Sequence, residues 1–176
     1  GLSGAYMGVA FDTFGNFKAM RYQGESRVNG IAYSMPVANS FNQSDDIGDQ
    51  VTIRGAKGAA LTYPGVGDGY TGYPVLITQS TIENKGFILN YDPDQDAYIN
   101  DGRYRRFNNF DKEAFSIGGG SEFEDERDPA YRKAIIELFP VAAENEGGFY
   151  VTVKIQHGNI LDTIVYDYHY KGTQFL

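Results

Sequence analysis

Three oxygens spread over five residues are the first chemistry this chain offers. In Gly8-Val9-Ala10-Phe11-Asp12-Thr13-Phe14-Gly15-Asn16-Phe17 an apolar, strand-like run delivers a carboxylate at Asp12. A side-chain amide follows four residues later at Asn16. With the Phe14 carbonyl between them, these oxygens can converge on one hard cation such as calcium. The same residues also suit an ordinary strand end, with Asp12 and Asn16 making turn hydrogen bonds. On residue types alone that second reading is favoured.

Two acidic clusters compete for attention. Asp92, Asp94 and Asp96, followed by Asn100, Asp101 and Gly102, start like an EF-hand loop, but Ala97 stands where the sixth-position glycine belongs and Arg103 where the closing Glu belongs. A solvated polar turn is the better reading there, with a weak calcium site as the alternative. Glu122, Glu124 and Glu126 would share one face if they lay in a strand. They follow Gly118-Gly119-Gly120 in a highly charged run, which favours an exposed acidic loop. Gly67-Asp68-Gly69-Tyr70-Thr71-Gly72 matches a dinucleotide fingerprint by letter. Tyr73-Pro74 follows it instead of a helix, so no helix N-terminus is there to hold a phosphate. The two histidines, His157 in a turn and His169 near the end, suit surface or packing roles better than catalysis.

The elements that must position these residues read as strands. Candidates run from Ala5 to Phe11, Gln50 to Arg54, Ala59 to Tyr63, Pro74 to Thr78 and Gly86 to Tyr91. Later ones run from Tyr131 to Phe139, Gly148 to Gln156 and Leu161 to Tyr168. From Tyr150 to Gln156 apolar and polar residues alternate, the period of a half-buried strand. His157-Gly158-Asn159 then turns into Ile160-Leu161-Asp162-Thr163-Ile164-Val165-Tyr166, which reads as a β-hairpin. Asp128-Pro129 could cap a helix, but Ile135-Ile136 and Tyr131 suit a strand equally, and the strand is preferred. Lys18 to Asp49 and Asp92 to Asp128 lack sustained periodicity and read as long loops, which tend to be functional. Tyrosines and phenylalanines in or near them (Tyr22, Tyr33, Phe41, Tyr70, Tyr73, Tyr98, Tyr104 and Phe107) could stack on sugar rings, although most are expected to pin the loops down.

Composition bounds the rest. A chain of 176 residues fits one domain, 1–176, with 14 Tyr and 12 Phe to fill its core. Its 22 Gly imply many tight turns, as in an all-β chain. The net charge of −8 argues against nucleic acid and anionic lipid as partners. No apolar run is long enough to insert in a membrane as a helix, and Gly1 onward shows neither the basic nor the apolar region of a signal peptide. The absence of Cys excludes disulfides and thiolate chemistry and leans toward a bacterial surface or extracellular protein.

The segment Phe11-Asp12-Thr13-Phe14-Gly15-Asn16-Phe17 resembles the signature of the L-type lectins, a family that includes legume lectins, animal cargo-receptor lectins and bacterial surface modules. The resemblance implies a concanavalin A-like jelly-roll β-sandwich of two antiparallel sheets with long loops. It also implies a non-enzymatic, calcium-assisted carbohydrate-binding module of a secreted or cell-surface bacterial adhesin. By the same resemblance Asp12, the Phe14 carbonyl and Asn16 are calcium ligands, and Asn16 also meets the sugar. Asp68, within Gly65-Val66-Gly67-Asp68-Gly69-Tyr70, takes the place of a later-loop aspartate for metal and sugar, with Tyr70 beside it. Legume members carry a Glu where this chain has Ala10, and a second Asp where it has Ala19 and Arg21, so no transition metal is expected. Val51-Thr52-Ile53-Arg54-Gly55 and the later hairpin are looser likenesses, and the family's first and last strands would lie outside residues 1–176. The expected partner is a glycan or polysaccharide. The alternative is a protein-interaction domain on the same fold that has lost its sugar, and a glycoside hydrolase comes third.

Overall fold

The computed structural model describes residues 5–14, 17, 26–28, 31–33, 48–57, 62–63, 67–68, 73–82, 86–88, 90–92, 97–99, 113–120, 122–145 and 147–171. Within 26–33, 62–68 and 90–99, and at residue 87, that description is of the backbone. The architecture is all-β. Four strands, β1 (Gly8–Asp12), β4 (Gln50–Arg54), β7 (Val75–Ser80) and β8 (Gly86–Ile88), form an antiparallel sheet in that spatial order. Three more, β11 (Arg132–Pro140), β12 (Phe149–His157) and β13 (Ile160–Tyr170), form an antiparallel meander. Short ladders pair β2 (Ser26–Val28) with β3 (Ile31–Tyr33), β5 (Thr62–Tyr63) with β6 (Gly67–Asp68), and β9 (Asn90–Asp92) with β10 (Ala97–Ile99).

Both larger sheets feed one hydrophobic core. Alternation does the sorting: Val51 and Ile53 of β4 and Val151, Val153 and Ile155 of β12 point inward and are sealed from water. Ile77, Val165, Tyr168 and Tyr170 join them, with Val9 and Phe11 of β1 packed at the margin. The Tyr170 hydroxyl, buried here, donates to the carbonyl of Tyr6 and so anchors the stretch leading into β1.

The expected hairpin is present, with β12 and β13 joined through Gly158 at φ 59. A Cβ there would come within 3.0 Å of the Arg127 carbonyl, so the turn needs glycine both for its left-handed backbone and for the close approach. The 131–139 segment is a strand rather than a helix, shifted by one residue. Its β-branched pair Ile135-Ile136 lies within a nine-residue ladder on β12 that no isolated helix could replace. Other expectations need correcting. Lys18 to Asp49 and Asp92 to Asp128 are not wholly irregular: the first contains β2 and β3, the second contains β10. These three-residue strands are too short to show a period in the sequence. The single strand expected from Gly86 to Tyr91 is two, β8 and β9, with different partners. Ala59 to Tyr63 narrows to β5 among the described residues.

Candidate functional site

The Asp12 carboxylate closes the loop that leaves β1. Its Oδ1 accepts the Phe14 N–H at 3.0 Å and its Oδ2 accepts the Phe17 N–H at 2.5 Å. The carbonyl of Phe17 in turn accepts from the Arg54 guanidinium, which also donates to the Tyr73 carbonyl at 3.2 Å and lies 4.7 Å above the Phe17 ring. The ring lies over Gly8, opposite Arg54 in the ladder, 3.9 Å from where a Cβ would stand, an ordinary contact distance. Phe17 is thus folded back onto β1. Phe14 projects from the loop with 76% of its surface exposed.

These contacts are the turn hydrogen bonds that the residue types favour, and they bear on the cation. A carboxylate has about four lone-pair directions, and the two N–H groups take two, so Asp12 keeps capacity for a metal. Calcium takes about six to eight oxygens, whereas the described residues offer this carboxylate and the Phe14 carbonyl. Among the described residues no group of three or more His, Cys, Asp or Glu side chains could hold a metal ion. Asn16 and Tyr70 lie outside the described residues. Asp68 is placed by its backbone in β6, opposite Thr62, rather than in a loop.

Asp12 also belongs to a face that sequence reasoning did not single out. Ladder register puts Asp12, Gln50 and Ser80 in one row and Ala10, Thr52 and Thr78 in the next, on the side of the sheet away from Val51 and Ile53. Gln50, Thr52, Arg54, Thr78 and Ser80 are nonetheless buried. Three of them bond one another: Thr78 donates its hydroxyl to Gln50 Oε1 at 3.1 Å, which leaves Thr52 to donate to Thr78 at 2.9 Å. Ala10 stands beside Thr52 in this row. The available signal was the alternation Gln50-Val51-Thr52-Ile53-Arg54, which puts three polar side chains on one face.

Asp49 ties this end of the sheet to the rest of the molecule. Held at φ 55, it donates its N–H to the Thr13 carbonyl at 3.3 Å, and its own carbonyl accepts the Thr81 N–H at 2.8 Å. Its Oδ1 accepts the Ser116 hydroxyl at 2.9 Å and the Ile117 N–H at 2.7 Å. The backbone comes so close that a Cβ on Gly48 would sit 2.1 Å from the Thr13 carbonyl. Beyond Ser116, Phe115 stacks on His157 with centroids 3.9 Å apart, and His157 Nε2 lies 3.0 Å from Asp162 Oδ2. Arg132 also lies over the Phe115 ring, 5.6 Å from its centroid, and donates to the Ser116 carbonyl at 2.6 Å. Burial lowers the pKa of its guanidinium, and the charge of Asp49 opposes that shift. His157 thus ends a strand in a packed layer, and His169 bonds the Gly147 carbonyl at 2.8 Å.

The remaining candidates disperse. Glu122, Glu124 and Glu126 lie in an exposed turn instead of a strand, next to an Asp125–Arg127 pair that lowers the aspartate pKa through its hydrogen bonds. Asp92 pairs with Ala97 across β9 and β10, whereas Asp94, Asp96, Asn100 and Asp101 lie outside the described residues. Tyr73 is half-buried, while Tyr33 and Tyr98 are placed by backbone in β3 and β10. Tyr22, Phe41, Tyr104 and Phe107 lie outside the described residues. Among the described residues no helix is long and apolar enough to cross a membrane. No family model matches this chain, and no curated protein or solved structure matches it either.

Proposed function

We propose that this chain is a non-enzymatic carbohydrate-binding module on a concanavalin A-like jelly-roll β-sandwich, belonging to a secreted or surface protein of the bacterial adhesin type. The observation that carries this reading is the loop closed by Asp12, which combines a carboxylate with spare lone pairs and an exposed aromatic ring at Phe14. In this reading Asp12, Phe14, Asn16 and Asp68 hold calcium, and Asn16, Asp68 and Tyr70 meet the glycan. A cation that fixes an amide rotamer lowers the ordering cost of binding a polyol. Glycoside hydrolysis would need two carboxyl groups facing each other about 5–10 Å apart across a cleft, which an exposed turn at Glu122, Glu124 and Glu126 does not offer.

Thermal melts with calcium and with chelator test the cation, because a ligand of the native state alone raises the melting temperature. Identical melts would remove calcium from the reading. Glycan-array binding that Asn16→Ala abolishes would support the lectin, and silence across a broad array with calcium present would sink it. A second reading, a protein-interaction domain on the same fold, is favoured by Ala10, Ala19 and Arg21 in place of acidic residues. The apolar side chains exposed along β11 favour it too.

A further inference from the structure

The outer edge of β11 is long, apolar and bounded at both ends. The Val141 N–H donates to the Gly148 carbonyl and the Gly158 N–H to the Tyr131 carbonyl, so odd-numbered residues of this stretch bond toward β12. Backbone groups of Arg132, Ala134, Ile136 and Leu138 therefore point away from the sheet. No strand among the described residues pairs with them. At one end Ala130 is already satisfied, its carbonyl by the Gly120 N–H at 3.2 Å and its N–H by Asp128 Oδ1 at 2.7 Å. At the other end Pro140 has no N–H to offer. Among the described residues the free edge is thus 132–138. It lacks the usual protections of shortness and bulges, whereas β13, the opposite edge, carries two register shifts.

The side chains share this openness. Ala134, Ile136 and Leu138 stand opposite Ile155, Val153 and Val151, on the core face of the sheet. Yet Ile136 is 44% and Leu138 45% exposed.

We infer that this edge pairs with the same edge of a second copy, antiparallel about a two-fold axis at Ile135. Only pairings of even with even residues let the outward groups meet, and among these one register also matches the charges. It sets Arg132 against Leu138 and Ala134 against Ile136 of the second copy as hydrogen-bonded pairs. Between them Ile135 meets Ile135, and Lys133 meets Glu137 of the second copy twice over. Glu137 already holds Lys154 at 2.7 Å, so its carboxylate would sit between two ammonium groups on the outer face. One step either way would set Ile135 against Glu137 or against Lys133. The ladder ends by itself where Pro140, lacking its N–H, arrives opposite the satisfied Ala130. Two apolar ledges of Ala134, Ile136 and Leu138 then become continuous and lose water. This inference is independent of glycan binding.

Sedimentation velocity across a concentration series tests it with the chain as it stands. The wild type should show a monomer–dimer equilibrium. Lys133→Glu and Glu137→Lys should each weaken the dimer about tenfold, by replacing two attractive pairs with two repulsive ones. Mixing the two variants should restore association, since opposite charges then face each other at both contacts of the mixed dimer. Ala134→Pro, which removes an outward N–H but none bonded to β12, should abolish dimers while far-UV circular dichroism stays unchanged. A wild type that is monomeric up to about 1 mM, the weak end of specific association, overturns the proposal. So does a mixture that associates no better than either variant alone.

Discussion

The centre of the four-stranded sheet and the outer strand of the three-stranded sheet reverse the usual distribution of polarity. β4 and β7 are buried on both faces and enclose Gln50, Thr52, Arg54, Thr78, Gln79 and Ser80. β11 leaves Ile136, Leu138 and Phe139 in water, the last 53% exposed. A buried polar group or an exposed apolar cluster is more informative than the rule that each breaks. The first is stable only where side chains satisfy one another, as Thr52, Thr78 and Gln50 do. The second persists because a strand is held by its ladder as well as by its faces. β11 keeps nine paired residues on β12 even where no opposing sheet covers it.

Truncating one apolar residue in each region should give the largest difference between them. Ile53→Ala, in the sealed core, should cost about 2–5 kcal/mol in urea unfolding. Leu138→Ala should cost about 1 kcal/mol or less at concentrations where the chain is monomeric, since nearly half of its surface is already exposed. Equal costs would mean that Leu138 is covered in solution, and the contrast would fail. The polar layer comes next. Thr52→Val keeps the shape but deprives Thr78 of a donor, and should cost about 1–2 kcal/mol. Thr52→Val combined with Thr78→Val should cost less than the sum of the single changes, because partners are removed together. Additive costs would show that the two hydroxyls do not act as a unit.

The smallest effect concerns the seam between the sheets and β1. Burial pushes the Tyr170 hydroxyl above its ordinary pKa of 10.0, with a hydrogen bond received from the Ala56 backbone partly offsetting the shift. A raised pKa means that the unfolded chain loses this proton first as pH rises. Stability from Tyr170 is then fully present below about pH 10 and declines above it, toward the folded pKa. Urea midpoints compared between about pH 9 and 11 should fall less steeply in Tyr170→Phe than in the wild type. Parallel slopes would assign the alkaline loss to other groups.

Much of the fold was legible in local pattern. Val151, Val153 and Ile155 announce a core face by their period of two, and His157-Gly158-Asn159 announces the hairpin by its glycine. The candidate site was legible only at Asp12, whose short carboxylate reaches N–H groups within its own loop and so needs no distant partner. Gln50, Thr52 and Arg54 could be assigned to a common face, but nothing local says that this face is buried. Asp49 joins Thr13, Thr81, Ser116 and Ile117 across up to 68 positions of chain, and His157, Phe115 and Arg132 meet in the same way. Those meetings are decided when the two sheets close on one core. Periodicity and turn chemistry act over a few residues, so they dictate strands and the direction of their faces. Which face is covered, and which edge stays open, depends on how far one sheet extends over the other, and only the tertiary structure decides that.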